Sequence, residues 1–222
     1  DADFAAGKAG NPMKYKVMIV EDQTMPRELF ELRVQASERF ELALSIDNAA
    51  LADVYCLRFP VDLILMDVIT RDGENGLDAA ARIKRAFPQI KIIIVTSMPE
   101  CSYLKRAKEI GVESFWYKEE QRESLLDVME RTMNGESVYP GASPELTLGM
   151  ASSYQFTERE LDILREITSG DTNQEIADRL NMSVATVKTH ILNMLEKTGF
   201  RNRTELAVRA RESGLVILNR RN

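Results

Sequence analysis

Histidine, tryptophan and cysteine are nearly missing from this chain of 222 residues, which has one His, one Trp and two Cys. Cys56 and Cys101 fall in different helical segments without metal-ligand spacing, so they read as reduced thiols of a cytoplasmic protein rather than a disulfide or a zinc site. The lone His190 has no second His or Cys to share a metal or a catalytic pair. Long apolar runs are also lacking: none approaches the roughly 18 residues that cross a bilayer, and nothing resembles a secretory signal. What is present is 44% hydrophobic and 29% charged residues, enough for two ordinary domains with cores of their own.

Of the formal net charge of -6, residues 1–151 carry -7, with 18 basic against 25 acidic side chains. Residues 152–222 carry +1, and residues 185–222 hold eight basic against three acidic groups. A basic end on a near-neutral half suits a polyanionic partner, although a solvated helical surface has the same composition.

Residues 1–12, DADFAAGKAGNP, have no periodicity and read as a tag remnant or loose tail before a first domain at 13–135. Five short β-branched or aromatic runs follow: Tyr15 to Val20, Glu41 to Ile46, Leu63 to Met66, Ile92 to Val95 and Ser114 to Tyr117. They alternate with stretches of helical spacing, so the first fold class is α/β, a doubly wound five-stranded parallel sheet. Gly135 to Gln155, with two Pro and three Gly, reads as a linker over 136–155. Residues 156–222 are predicted as four helices, all-α. Thr157 with Glu160, Thr172 with Glu175 and Asn202 with Glu205 supply capping pairs three apart.

Parallel strands place their carboxyl ends on one rim, and polar residues stand at those ends: Glu21 and Asp22, Asp67, Thr96 and Lys118. Carboxylates, a hydroxyl and an ammonium in one crevice can hold a divalent cation, offer a nucleophile and clamp a phosphoryl group. Asp67 ends the central apolar strand and is the expected nucleophile. Asp22 directly, Glu21 through water, and Asp67 with the backbone carbonyl of Ile69 are the expected Mg²⁺ shell; Lys118 and Thr96 would meet phosphoryl oxygens.

The order of these residues over about 14–135 resembles the flavodoxin-like receiver domain of two-component response regulators. The strings TERE, EIA, TVKTH and RTE between Phe156 and Leu215 resemble the LuxR-type helix-turn-helix domain. Together they resemble a NarL/FixJ-type response regulator. The resemblance implies a cytoplasmic transcription regulator, phosphorylated on Asp67 by a sensor histidine kinase and paired as a homodimer on double-stranded DNA. It implies no enzyme activity beyond the receiver's own phosphoryl transfer and dephosphorylation. It further implies a switch in which Thr96 moves inward and Phe115 fills the space behind it. Trp116 should lie on the opposite sheet face from Phe115. Departures from the family pattern are Glu21 in place of Asp, Phe115 where Tyr is frequent, and one extra residue between Asp67 and Gly76.

In the second half, Ser183 is the predicted N-cap of a helix whose stripe of Val187, Ile191 and Met194 or Leu195 faces inward. Resemblance to LuxR-type domains puts Lys188, Thr189 and Leu192 at base-facing positions. Thr172, Gln174, Thr186, His190, Arg201 and Arg203 are candidates for phosphate contacts, and the helix from Thr204 is the expected pairing surface. Two other readings compete: a phosphatase acting on small substrates, disfavoured because Asp67-Val-Ile-Thr lacks a second carboxylate, and a DNA-binding regulator with an atypical receiver that works without phosphate.

Overall fold

The structure is a computed structural model and describes residues 13–71, 75–97, 100–118 and 123–216. The tail before Met13, the centre of the loop after Asp67 and the Cys101 side chain lie outside the described residues.

Strands β1 (Tyr15–Val20), β2 (Phe40–Ile46), β3 (Leu63–Met66), β4 (Lys91–Thr96) and β5 (Ser114–Tyr117) form one sheet in the order β2-β1-β3-β4-β5, all pairs parallel. Leu63–Met66 is buried throughout because helices cover both faces of the sheet at its centre, which is why this strand reads as an unbroken apolar run. Helices α1 (Thr24–Gln35), α2 (Ala52–Arg58, after a 3-10 turn at Ala49–Leu51), α3 (Gly76–Ala86), α4 (Cys101–Ile110) and α5 (Leu125–Met133) connect and follow the strands. Side chains alternate across the sheet: Met18, Ile64, Ile94 and Phe115 enter one core with α3 and α4. Val17, Leu65, Ile93 and Trp116 enter the other with α1 and α5, so Phe115 and Trp116 take opposite faces as their adjacency requires.

Helices α6 (Glu158–Thr168), α7 (Asn173–Arg179), α8 (Val184–Thr198) and α9 (Arg203–Ser213) build the second domain around a separate core. Thr157 with Glu160 and Thr172 with Glu175 form reciprocal capping boxes. Asn202 accepts from the Glu205 amide, while the Glu205 carboxylate reaches Arg201 instead. The turn between α7 and α8 carries Asn181 at φ 52, a left-handed position that asparagine tolerates.

The expected linker is largely folded. Its second half makes a small antiparallel hairpin, β6 (Thr147–Leu148) and β7 (Ala151–Ser152), whose Leu148 and Ala151 are buried in the second core. Gly149 lies against α8, where an added Cβ would meet the Thr198 carbonyl oxygen at 2.1 Å. Its first half lies on the sheet edge: the Phe115 amide donates to the Val138 carbonyl at 2.8 Å. The stretch whose Pro and Gly signal a linker is thus a strap joined to both domains, with Gly149 at the hairpin turn.

Candidate functional site

The site lies at the carboxyl rim of β1 and β3, the point where strand order reverses and the flanking helices part. Backbone bonds fix the loops there: the Asp67 amide donates to Val20 at 2.9 Å, and the Glu21 amide to Ile46 at 3.0 Å. Gly76 opens α3 so close to β3 that an added Cβ would stand 1.9 Å from the Asp67 carbonyl oxygen. Only glycine permits this approach.

Carboxylate oxygens of Glu21, Asp22 and Asp67 lie within 4.8 Å of one another. Lys118 Nζ bridges two of them, 2.5 Å from Glu21 Oε2 and 2.7 Å from Asp67 Oδ2. The other Glu21 oxygen accepts from the Gln23 amide at 3.1 Å, so both oxygens of this buried carboxylate have protein donors. Asp22 is only half-buried, and the Ile69 amide approaches Asp67 Oδ1 at 3.5 Å. This donor set fits a hard divalent cation: three clustered carboxylates, two of them buried, with a mouth open to water on the Asp22 side. Burial pushes the Asp67 carboxyl up to about 7, with Lys118 opposing the shift and Glu21 adding to it. Burial disfavours the charged Lys118, but the two carboxylates outweigh it and hold the ammonium above its ordinary range.

Thr96 ends β4, fully buried, and its carbonyl accepts from the Lys118 amide at 2.9 Å, so hydroxyl and ammonium are carried by neighbouring strand ends. Phe115 is buried and rests against Tyr139 of the strap, ring centroids 6.3 Å apart. All five rim residues read from the sequence therefore share this edge. Two nearby residues escaped that reading. Tyr103 on α4 is buried close enough for its phenol to feel Asp67, and Arg27 on α1 donates to the Glu21 carbonyl at 3.1 Å. Nothing in their local sequence separates Tyr103 from an ordinary core aromatic or Arg27 from a solvated one.

In the second domain, Val187, Ile191 and Met194 are buried and Ala185, Lys188, Thr189, Leu192 and Glu196 are exposed on the other side of α8. Leu192 is 60% exposed, a value that burial by the first domain would not allow. Thr172, Gln174, Thr186 and Arg201 are exposed and His190 half-buried. Thr172 and Thr186 also act within the caps of α7 and α8. Arg203 turns inward, its guanidinium donating to Asn173 Oδ1 at 2.5 Å and to the Asp171 carbonyl, so it clamps α9 to α7.

Among families of known proteins, the family described as "Response regulator receiver domain" matches residues 17–130. The family described as "Bacterial regulatory proteins, luxR family" matches residues 154–210. The chain is 33% identical over 212 residues to the response regulator protein VraR of Staphylococcus epidermidis, covering 92% of this chain and all of the relative. VraR of Staphylococcus aureus is 32% identical over the same length. Among solved structures, the chain is similar to an RcsB–DNA complex, with a TM-score of 0.58 and 17% identity over 89% of this chain and 98% of the other. RcsB of Salmonella enterica serovar Typhimurium, bound to a promoter in the presence of a phosphomimetic, gives 0.57 and 19% over 92% of this chain and 100% of the other. At these identities the solved structures speak for the fold. With one family matched across each half and whole-length relatives in agreement, the chain belongs to the two-component response regulators of NarL/FixJ type, a receiver domain joined to a LuxR-type DNA-binding domain.

Proposed function

We propose that Asp67 accepts a phosphoryl group from the phosphohistidine of a sensor kinase and that the phosphorylated protein, as a homodimer, binds promoter DNA in the cytoplasm. The observation that carries this reading is the bridging of Asp67 and Glu21 by the Lys118 ammonium at the mouth of the sheet. An ionised Asp67 oxygen attacks phosphorus, the P–N bond breaks, and its electron pair leaves with the imidazole. Lys118 is placed to turn from carboxylate to phosphoryl oxygen, and Thr96 on the adjoining strand end to hydrogen-bond another. Asp22 and Asp67, with the Ile69 carbonyl, would hold Mg²⁺, while Glu21, already engaged by Lys118 and Gln23, would act through water. The ion supplies positive charge against the equatorial phosphoryl oxygens. The chain performs no chemistry on other substrates in this reading.

On the DNA side, the exposed row of Lys188, Thr189 and Leu192 suits the major groove, with Lys188 toward guanine acceptors and Leu192 toward a thymine methyl. Thr172, Gln174, Thr186, His190 and Arg201 flank it toward the phosphates. Arg203 instead stabilises the domain. Among the described residues no helix is long and apolar enough to cross a membrane.

The test is labelling by a phosphorylated kinase or a small phosphoryl donor. Asp67→Asn should take no label while keeping its fold. Labelling of that variant, or DNA affinity unmoved by phosphorylation at fixed salt, would overturn the reading and favour control without phosphate.

A further inference from the structure

The strap that follows α5 touches the outer edge of β5 at two points and stands away from it between them. At one end the Phe115 amide donates to the Val138 carbonyl at 2.8 Å; at the other the Tyr117 phenol donates to the Ser143 hydroxyl at 3.0 Å. Strand β5 advances two residues between these anchors, about 7 Å, while the strap takes five, a reach of about 17 Å. The surplus bows outward even after the length of the Tyr117 side chain is added, and Pro140, with no amide proton, cannot be drawn back into the ladder. A cavity of about 500 Å³ is left between strap, strand and α5. That is the size of a small-molecule site. Both ends of the bow are held, since the Tyr139 phenol donates to the Val112 carbonyl at 2.7 Å and the Tyr154 phenol to the Ser143 carbonyl. The space is therefore built before anything enters it.

The chemistry of the walls selects the occupant. Val128 of α5, Val138 and Tyr139 supply apolar and aromatic surface, and Trp116 borders the cavity while its indole N–H donates to the Glu123 carbonyl at 3.0 Å. The charged side chains in the lining are Glu123 and Glu145, both acidic and both exposed. Glu123 is already met by Arg131 at 2.8 Å. Glu145 meets a hydroxyl instead, that of Ser152 at 2.6 Å, and no cation among the described residues. Lys108 lies over the Tyr139 ring, 5.0 Å from its centroid, outside the lining. An anion would therefore find only like charge on these walls, whereas an ammonium on a ring-bearing body would find aromatic surface for the body and a carboxylate for the head. We propose that this cavity is a second ligand site, separate from the carboxylate rim of β1 and β3, and that it takes a small organic cation, an aromatic body carrying one ammonium group, with Glu145 as the counter-charge. It stands independently of the phosphorylation reading above, because none of the groups it uses takes part in that chemistry.

The test uses the full-length protein in saturating Mg²⁺ and three probes that share one body: phenylbutylammonium, phenylbutanol and phenylbutyrate. Binding is followed by nuclear magnetic resonance. The single tryptophan gives a single indole N–H signal, so Trp116, with the amides of Gly141 and Ala142, reports on this cavity. The ammonium should shift these three signals with an affinity about threefold or more above that of the alcohol, the range of one exposed ion pair, and the carboxylate should bind most weakly. Glu145→Gln keeps an oxygen that can accept from Ser152 on an exposed side chain, so it should fold. It should bring the ammonium down to the affinity of the alcohol and leave the alcohol unchanged. The proposal is overturned if no probe moves these signals at up to about 10 mM, above the Kd of a few millimolar that a body of this size allows. It is equally overturned by an ammonium that binds no tighter than the alcohol, by a head-group preference that survives Glu145→Gln, or by shifts that appear at the Gln23 amide of the carboxylate rim instead.

Discussion

Lys118→Met should convert the carboxylate rim into a proton trap. In the wild type one ammonium faces two carboxylates, Glu21 with a side chain 0% exposed and Asp67 with 6%. Removing that cation leaves two buried anions without the ammonium that bridges them, since Arg27 reaches the Glu21 carbonyl rather than either carboxylate, and breaking a buried pair in this way costs about 3–5 kcal/mol. An upper limit follows from chemistry: the site can always take up one proton. Protonating a carboxylate of ordinary pKa near 4 at pH 7.5 costs about 5 kcal/mol, and at pH 5 only about 1.4 kcal/mol. The variant's stability should therefore rise by roughly 3 kcal/mol between pH 7.5 and pH 5; wild-type Asp67, itself raised to about 7, gains about 2.5 kcal/mol over the same interval, so the loss should shrink by no more than about 1 kcal/mol. The sign is that of a carboxyl raised on folding: the folded state binds the proton more tightly, so stability is greatest at low pH and falls as pH rises through the raised value. Wild type has the same slope in weaker form, because Asp67 is already raised by burial. Urea unfolding in metal-free buffer, followed by the fluorescence of Trp116, reads the receiver alone, since that residue is the only tryptophan and packs edge-on against Phe30. A loss below about 1 kcal/mol at pH 7.5, or one that is larger at pH 5, would refute the reasoning.

Gly76→Ala should cost about 1–3 kcal/mol of receiver stability and slow labelling of Asp67, because its methyl meets backbone rather than a side chain that can turn away; unchanged melting and labelling would contradict it. The rate of phosphorylation by phosphoramidate at low Mg²⁺ should fall as pH drops through about 7, where Asp67 gains its proton, and the midpoint should move to lower pH as Mg²⁺ is raised. A rate flat from pH 8 to pH 5 would count against Asp67 as the attacking group. Lys188→Ala should weaken DNA binding by about 1–3 kcal/mol and relax one base position, with the melting temperature of the exposed helix face unaltered. Equal loss on every sequence would make Lys188 a phosphate contact instead.

Much of this architecture is legible in one dimension because its signals are local. Leu63 to Met66 can only be a buried strand, and once strands are parallel their carboxyl ends must share a rim, which brings Glu21, Asp67 and Lys118 together from 97 residues of separation. Capping at Thr157 and Thr172 is equally local, as is the stripe of α8. Contacts between units leave no such trace. Glu100 reads as a loop carboxylate and Arg165 as a solvated helix residue; only the docking of α6 on α4 makes them partners. Ser, Gly and Pro mark the strap as irregular, but composition cannot tell a free tether from one laid along a sheet edge. Arg203 shows the same gap: a basic residue near a recognition helix suggests phosphate, and only the structure reveals its contacts with Asn173 and Asp171.

The hydrogen bond from Phe115 to Val138 bears on how such chains can be recombined. An outermost strand with free amides invites pairing with a neighbour, and here the chain's own continuation meets that strand at its second residue. A receiver severed at residue 135 would lose this cover and present a sticky margin, prone to self-association that the intact protein resists. The natural seam for exchanging output modules therefore falls after Ser143, whose hydroxyl still accepts from Tyr117 of β5, inside the stretch that composition alone would discard as spacer, and chimeras joined there should stay dispersed where shorter ones clump.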